Sequence, residues 1–325
     1  MFKLSLMIKK LSIQNFKSIK GLHLDCKRVN LFIGEPNSGK SNLLEALSIF
    51  ALPINPEINQ LVRLGDMSNL FFDNDPSSPI KLLADSNTCE IIYDITGSQI
   101  VFNYSNNSQI RLTTIGKLLQ SESDFDFLIH PYFFKSTNTF SNKRFDFLFP
   151  PDGNNLFSLL QSNKTLRTIV SDFIQERGFK LTLRQATSEI EISKEVDNIL
   201  TTYPYQVISD TLQRIVFYLS AIESNKGGTT LVLEEPESNV FPYYTKYLAE
   251  RIALDKGKQY FLATHNPYFL MSLIEKTSIE DISVNIVQMN ERYETIVSVL
   301  SEKGVEEILN LGSDVFLNFD KLLQA

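Results

Sequence analysis

Ile8 to Phe16 alternates apolar and polar residues, and Gly21 to Cys26 does so again beyond the turn KSIK. A period of two marks strands with one buried face, so the chain is expected to open on two strands. Val29 to Ile33 (VNLFI) is instead a nearly continuous apolar run, the pattern of a strand covered on both faces. The period then lengthens: in KSNLLEALSIF, Leu43, Leu44, Leu47 and Phe50 fall at helical spacing. Between Ile80 and Thr114 alternation returns in KLLAD, CEIIYDI, QIVFNY and QIRLTT, separated by SNT, TGS and SNNS, which predicts an antiparallel meander. Ser121 to Asp152 is rich in Phe, Asn and Ser with little period and reads as loop with short strands. A helical region follows over Leu156 to Glu176, then a hairpin from FKLTLRQ and EIEIS. The last stretch alternates a helix from Asp210 to Glu223, the strand TTLVLE, a helix through Tyr243 to Ala253, the strand QYFLAT and a helix after Pro267. Such alternation predicts parallel strands with crossover helices, hence an α/β fold with an antiparallel β lobe. No repeat of 20 to 50 residues, heptad run or low-complexity tail is visible.

The junction between VNLFI and the first helix carries the chain's most specific chemistry. Gly34 to Ser41 reads GEPNSGKS, which fits G-x-x-x-x-G-K-[ST]. In that pattern backbone N–H groups wrap a triphosphate, with Gly34, Asn37, Ser38, Gly39, Lys40, Ser41 and Asn42 as the binding set. Lys40 reaches the β and γ oxygens, and Ser41 ligates Mg²⁺. Strand, loop and helix in this order let a helix N-terminus face the phosphates.

A second constellation ends the strand TTLVLE, where Glu234 and Glu235 precede Pro236 and Glu237. Adjacent carboxylates at the end of a buried strand are costly unless a cation sits beside them. Glu234 is assigned to the metal and Glu235 to the attacking water. Neighbours on a strand point to opposite faces, so both serve one site only if the chain turns at Glu235–Pro236. QYFLAT ends at Thr264 and His265. A lone histidine is more often structural, but at the end of a parallel strand His265 is placed to contact the γ-phosphate.

Composition narrows the class without changing this picture. With 325 residues, 43% hydrophobic and 21% charged, the chain has the balance of a folded globular protein. No uncharged run approaches about 18 residues, and the N-terminus lacks a small-residue cleavage site, so neither a membrane span nor export is expected. Cys26 and Cys89 are too few for a disulfide framework, and a reducing cytoplasm is the expected location. The net charge of −7 leaves nucleic acid only a local patch. Lys3, Lys9, Lys10, Lys17, Lys20, Lys27 and Arg28 cluster near the start, either as such a patch or as solvated faces of edge strands.

Taken together, GEPNSGKSN, LVLEEPESNVFP and ATHNP, in that order, resemble the ATP-binding-cassette-type ATPases of the SMC, RecF and OLD group. IKKLSIQNFKSIKGL is similar to that group's opening, and LFPPDGNNL to a segment of its stand-alone bacterial members. The resemblance implies a P-loop NTPase of ABC-ATPase type in one domain over 1–325. Its parts would be a β lobe with the phosphate loop (1–120), a variable and helical signature lobe (121–225) and a lobe with the acidic strand and His265 (226–325). It also implies ATP and Mg²⁺ as ligands, and catalysis by Glu235, His265 and Lys40. A head-to-tail homodimer would form around two ATP, with Ser209 of ISDTLQRIVFYLSAI contributing in trans as an N-cap. A separate effector protein such as a nuclease is the implied partner, DNA a further one, in anti-phage defence or genome maintenance. Asp210 and Thr211 stand where the group carries a glycine, which removes the basis for expecting fast turnover. Glu234 stands where transporters carry Asp. The metal-sensing glutamine has no clear counterpart, Gln60 matching only by position. Neither a coiled-coil arm nor a fused nuclease is expected.

Overall fold

The computed structural model describes residues 7–105, 107–122, 129–137, 139–141 and 145–324. The chain begins with β1 (Lys10–Phe16), β2 (Ile19–Asp25), β3 (Val29–Ile33), α1 (Lys40–Ser48) and the single turn α2 (Ile58–Leu61). It continues through β4 (Ile80–Ala84), β5 (Asn87–Asp94), β6 (Gln99–Tyr104), β7 (Gln109–Thr113), β8 (Leu118–Glu122) and β9 (Ile129–Tyr132). Next come α3 (Leu156–Ser162), α4 (Lys164–Gln175), β10 (Lys180–Arg184), β11 (Glu189–Val196), β12 (Ile199–Pro204) and α5 (Asp210–Ser224). The last part holds β13 (Thr230–Glu234), α6 (Pro242–Leu254), β14 (Gln259–Ala263), α7 (Pro267–Lys276), β15 (Ile282–Met289), β16 (Thr295–Val299), α8 (Glu302–Leu311) and α9 (Phe319–Gln324).

Among the described residues these strands form a six-stranded sheet of order β16-β15-β3-β14-β13-β9, a seven-stranded sheet of order β2-β1-β4-β5-β6-β7-β8, and the three-stranded β10-β11-β12. The six-stranded sheet is parallel from β15 to β9, with β16 antiparallel at one edge. It draws strands from all three segments into which the sequence divides the chain. The seven-stranded sheet is antiparallel throughout and joins the opening hairpin to the meander through β1 and β4. The N-terminal hairpin therefore supplies two of the seven strands of the β lobe, the other five following α1.

Both faces of the six-stranded sheet are covered, which explains why β3, β13 and β14 lack alternation. Leu31, Leu231, Leu233 and Leu262 pack against α3 to α7, whereas Phe32, Val232 and Phe261 pack against α1 and the β lobe. Register aligns the strand ends: Phe32 lies beside Ala263, and Ala263 beside Glu234. The ends of β3, β14 and β13 thus open on one crevice, where ligands gather in parallel α/β sheets. Among the described residues no helix is long and apolar enough to cross a membrane.

Candidate nucleotide site

Residues 34–39 fold into a loop whose shape is set by close approach of its neighbours. A Cβ on Gly34 would lie 2.1 Å from the Val287 carbonyl oxygen, and one on Gly39 would lie 2.0 Å from Thr295 Oγ1. Asn37 (φ 61°) and Gly39 (φ 102°) take left-handed backbone, turning loop N–H groups inward at the start of α1. Lys40 Nζ is folded back on this loop, 3.0 Å from Gly34 O, 2.7 Å from Glu35 O and 3.3 Å from Ser38 Oγ. Burial pushes its pKa down to about 8, against the pull of Glu235, Glu234 and Glu35. The loop thus points one partly desolvated ammonium and its own N–H groups at the same space, a donor set that suits a phosphate.

Ser41 Oγ donates to Glu234 Oε1, which also accepts from Arg63 Nη2 at 3.3 Å. One turn along α1, the buried Glu45 accepts from Lys17 Nζ and from Arg63 Nε at 2.8 Å, and Lys17 Nζ reaches Arg63 O at 2.7 Å. Lys17, Glu45, Arg63 and Glu234 form a chain of alternating charge. Asn42 Nδ2 donates to Ser18 Oγ at 2.7 Å, tying the hairpin turn to the loop. The adjacent hard oxygens of Ser41 and Glu234, beside a lysine in a phosphate-shaped loop, suit Mg²⁺ held mainly by water and phosphate.

The acidic strand does turn as its sequence requires. Glu235 has φ 43°, its N–H bonds Ala263 O at 3.0 Å, and its carbonyl receives Ser238 N–H at 3.0 Å. Its carboxylate then accepts from Ser238 Oγ at 2.8 Å and lies 3.4 Å from His265 Nε2. Burial and the Lys40 charge lower the His265 pKa, with Glu235 opposing. Behind this turn Glu237 is buried, its carboxyl pushed up to about 7 by burial despite a hydrogen bond from Thr264.

The crevice is a cleft of about 630 Å³ whose floor carries Lys40, Ser41, Glu234, Glu235 and His265. Ser209 is not among its lining residues; it N-caps α5, accepting from Leu212 N–H at 3.3 Å. Gln60 is likewise outside the cleft, bonded to Asn55 and Glu57, so the positional match to a metal sensor fails.

Residues 29–272 match the family model described as "AAA domain, putative AbiEii toxin, Type IV TA system". The chain belongs to that family. No curated protein matches it. Among solved structures it is similar to an Smc head bound to the C-terminal winged-helix domain of ScpA. The TM-score is 0.51 and the identity 14%, over 91% of this chain and 98% of that one. An Smc head with extended coiled coil, bound to the C-terminal domain of Pyrococcus furiosus ScpA, gives 0.50 and 12%, over 93% and 98%. RecF with ATP gives 0.48 and 17%, over 90% and 99%. Family and fold together make this an AAA-family domain with the fold of an Smc head.

Several cleft residues have no motif to announce them. Arg63 follows Leu61–Val62 in a loop, and Arg214 and Tyr218 come from α5. Arg214 stacks on Phe134 at 4.6 Å and bonds Asp210 Oδ2 at 2.8 Å, so the residue after Ser209 is tied to the cis cleft. The basic cluster divides. Lys17 is taken up by Glu45, Lys27 bonds Ile279 O at 2.7 Å, and Arg28 is buried. Lys9, Lys10 and Lys20 are exposed, Lys20 pairing with Glu294 at 2.9 Å, and Lys3 lies outside the described residues.

Proposed function

We propose that the protein binds ATP with Mg²⁺ in this cleft, hydrolyses it, and uses the cycle to close and open a head-to-tail homodimer acting on a separate effector. The observation that carries the reading is the Ser41–Glu234 contact beside a buried Lys40 folded onto the phosphate loop. The loop N–H groups and Lys40 hold the triphosphate, and Arg63 is close enough to exchange Glu234 for it. Ser41 and Glu234 would hold Mg²⁺, which neutralises charge developing on the phosphoryl oxygens. Glu235, held in place by Ser238, accepts the proton of the attacking water, while His265 donates to the γ-phosphate. Ser209 and the α5 N-terminus complete the partner's site. The family's description as a toxin–antitoxin component favours a defence role, and the ScpA-bound Smc heads favour a protein partner, with DNA a second candidate.

A nucleotide-gated scaffold with little hydrolysis is the second reading, favoured by Asp210 and Thr211 in the signature segment. ATP turnover with and without DNA, alongside molecular mass with and without nucleotide, separates the two. The trans arrangement has its own test: mixing Lys40→Ala and Ser209→Arg chains is expected to restore one intact site per heterodimer. A mixture no more active than its components would exclude it.

A further inference from the structure

Glu237 sits two residues past the water-activating carboxylate, yet its side chain turns away from the cleft and into the protein, where it is 3% exposed. Its Oε1 accepts from Thr264 Oγ1, and the carboxyl also receives the backbone N–H of His265. Its Oε2 is buried with no hydrogen-bond partner, and among the described residues no ion pair reaches it. Thr264 Oγ1 in turn accepts from Asn266 N–H at 3.0 Å, and the Glu237 carbonyl accepts from Val240 N–H at 3.1 Å. One carboxyl therefore touches the loop that carries His265 while standing on the turn that carries Glu235 and Ser238.

That junction matters because both reacting side chains are half-exposed, on separate loops, at 37% for His265 and 40% for Glu235. The His265 ring packs on Phe316 with centroids 6.3 Å apart, a single tilted contact that leaves the rest of the ring to its backbone and polar neighbours. Burying a polar group with one atom unsatisfied is costly, and such a group persists where geometry demands it.

We propose that Glu237 is a positioning residue for hydrolysis: through Thr264 Oγ1 and the His265 N–H it fixes the spacing between His265 and Glu235. This rests on the reading of the cleft as a hydrolytic ATP site. The carboxyl acts as a hydrogen-bond acceptor of fixed shape rather than as a charge. Glutamine, which keeps an acceptor oxygen at the same reach, therefore serves in its place.

The test compares wild type, Glu237→Gln, Glu237→Ala and Thr264→Val for ATP turnover, for ATP affinity by equilibrium binding, and for the His265 imidazole signals by NMR. The chain has only 3 histidines, so these signals can be assigned. Misplacing reacting groups by about 1 Å costs up to about a hundredfold. Glu237→Ala is therefore expected to lose about tenfold or more in kcat with ATP affinity within about threefold. Thr264→Val should follow it, and Glu237→Gln should stay within about threefold of wild type in both. The His265 signals should shift in the Ala and Val variants and hold in Gln. Wild-type kcat in Thr264→Val, or a Gln variant as slow as Ala, overturns the proposal. If Glu237→Ala does not fold, Thr264→Val decides. If the wild type binds ATP without turning it over, hydrolysis fails as a reading and the His265 signals decide alone: unchanged signals in Thr264→Val overturn the positioning role.

Discussion

Removing the Arg28 side chain is the sharpest test of how the end of α6 is held. Arg28 precedes β3 and is 5% exposed, and its guanidinium lies against the C-terminal end of α6. It donates to Ala253 O at 2.9 Å, Asp255 O at 2.5 Å and Ile252 O at 3.3 Å, and through Nε to Asp281 Oδ2 at 3.2 Å. The last carbonyls of a helix have no intrahelical donors, so these bonds cap α6 from a distant part of the chain. A hydrogen bond to a charged group contributes about 1.5–3 kcal/mol net. The bonds share one cation and the site adjoins solvent at Asp281, so their full sum is not recovered. Arg28→Met, which keeps the apolar stem, is expected to cost about 3–5 kcal/mol, and Arg28→Lys about half of that, since one ammonium cannot span the carbonyls. That is a large share of the ~5–15 kcal/mol typical of a domain. Urea unfolding measures it, with an unchanged slope certifying that stability moved. A loss below about 1 kcal/mol for Arg28→Met would refute the capping argument and return Arg28 to the pool of cations free for a DNA backbone.

Lys40→Ala is expected to abolish ATP binding in calorimetric titration while leaving the fold intact, because it removes the loop's own cation. Glu235→Gln should retain ATP and slow its release as ADP, so that nucleotide-bound dimer accumulates by light scattering; equal turnover would move proton acceptance to another residue. The buried Glu237 carboxyl, raised from 4.5 to about 7, gives a stability effect with a definite sign. The native state holds the proton more tightly, so this stabilisation is complete below pH 4.5 and is lost as pH rises through 7. At ~1.4 kcal/mol per pKa unit, Glu237→Gln should gain about 3 kcal/mol on wild type between pH 4 and pH 8; urea midpoints in parallel at both ends of that range contradict this.

What could be read from the chain followed from how local its cause was. GEPNSGKS and LEEPE predict their strands, turns and crevice because the phosphate loop and the acid turn are set within a few residues, as the left-handed Asn37 and Glu235 show. The meander was legible by alternation because one face of β4 to β7 meets the core and the other meets solvent. β9 was hidden: its four residues are all buried and are a strand only because β13 lies beside them. β12 escaped for the opposite reason, being almost wholly exposed and held by β11 alone. Arg63, Lys17 and Glu45 converge from three elements, and no spacing along the chain encodes that meeting. Of the early cations, Lys17, Lys27 and Arg28 turn to internal carboxylates and carbonyls while Lys9, Lys10 and Lys20 stay exposed, a division that a count of charges does not reveal.

The left-handed backbone of Glu235 sets two demands on one position that are independent of each other. The fold asks for φ near 43°, which asparagine, aspartate and glycine adopt more readily than glutamate; the chemistry asks for a carboxylate that reaches water. A lineage released from the second demand would therefore meet no resistance from the first, and replacement by asparagine or glycine would relax the turn while leaving Lys40, Ser41 and Glu234 in place. Hydrolytic engines built on this turn are, in evolutionary terms, one substitution away from becoming switches that close on nucleotide and stay closed.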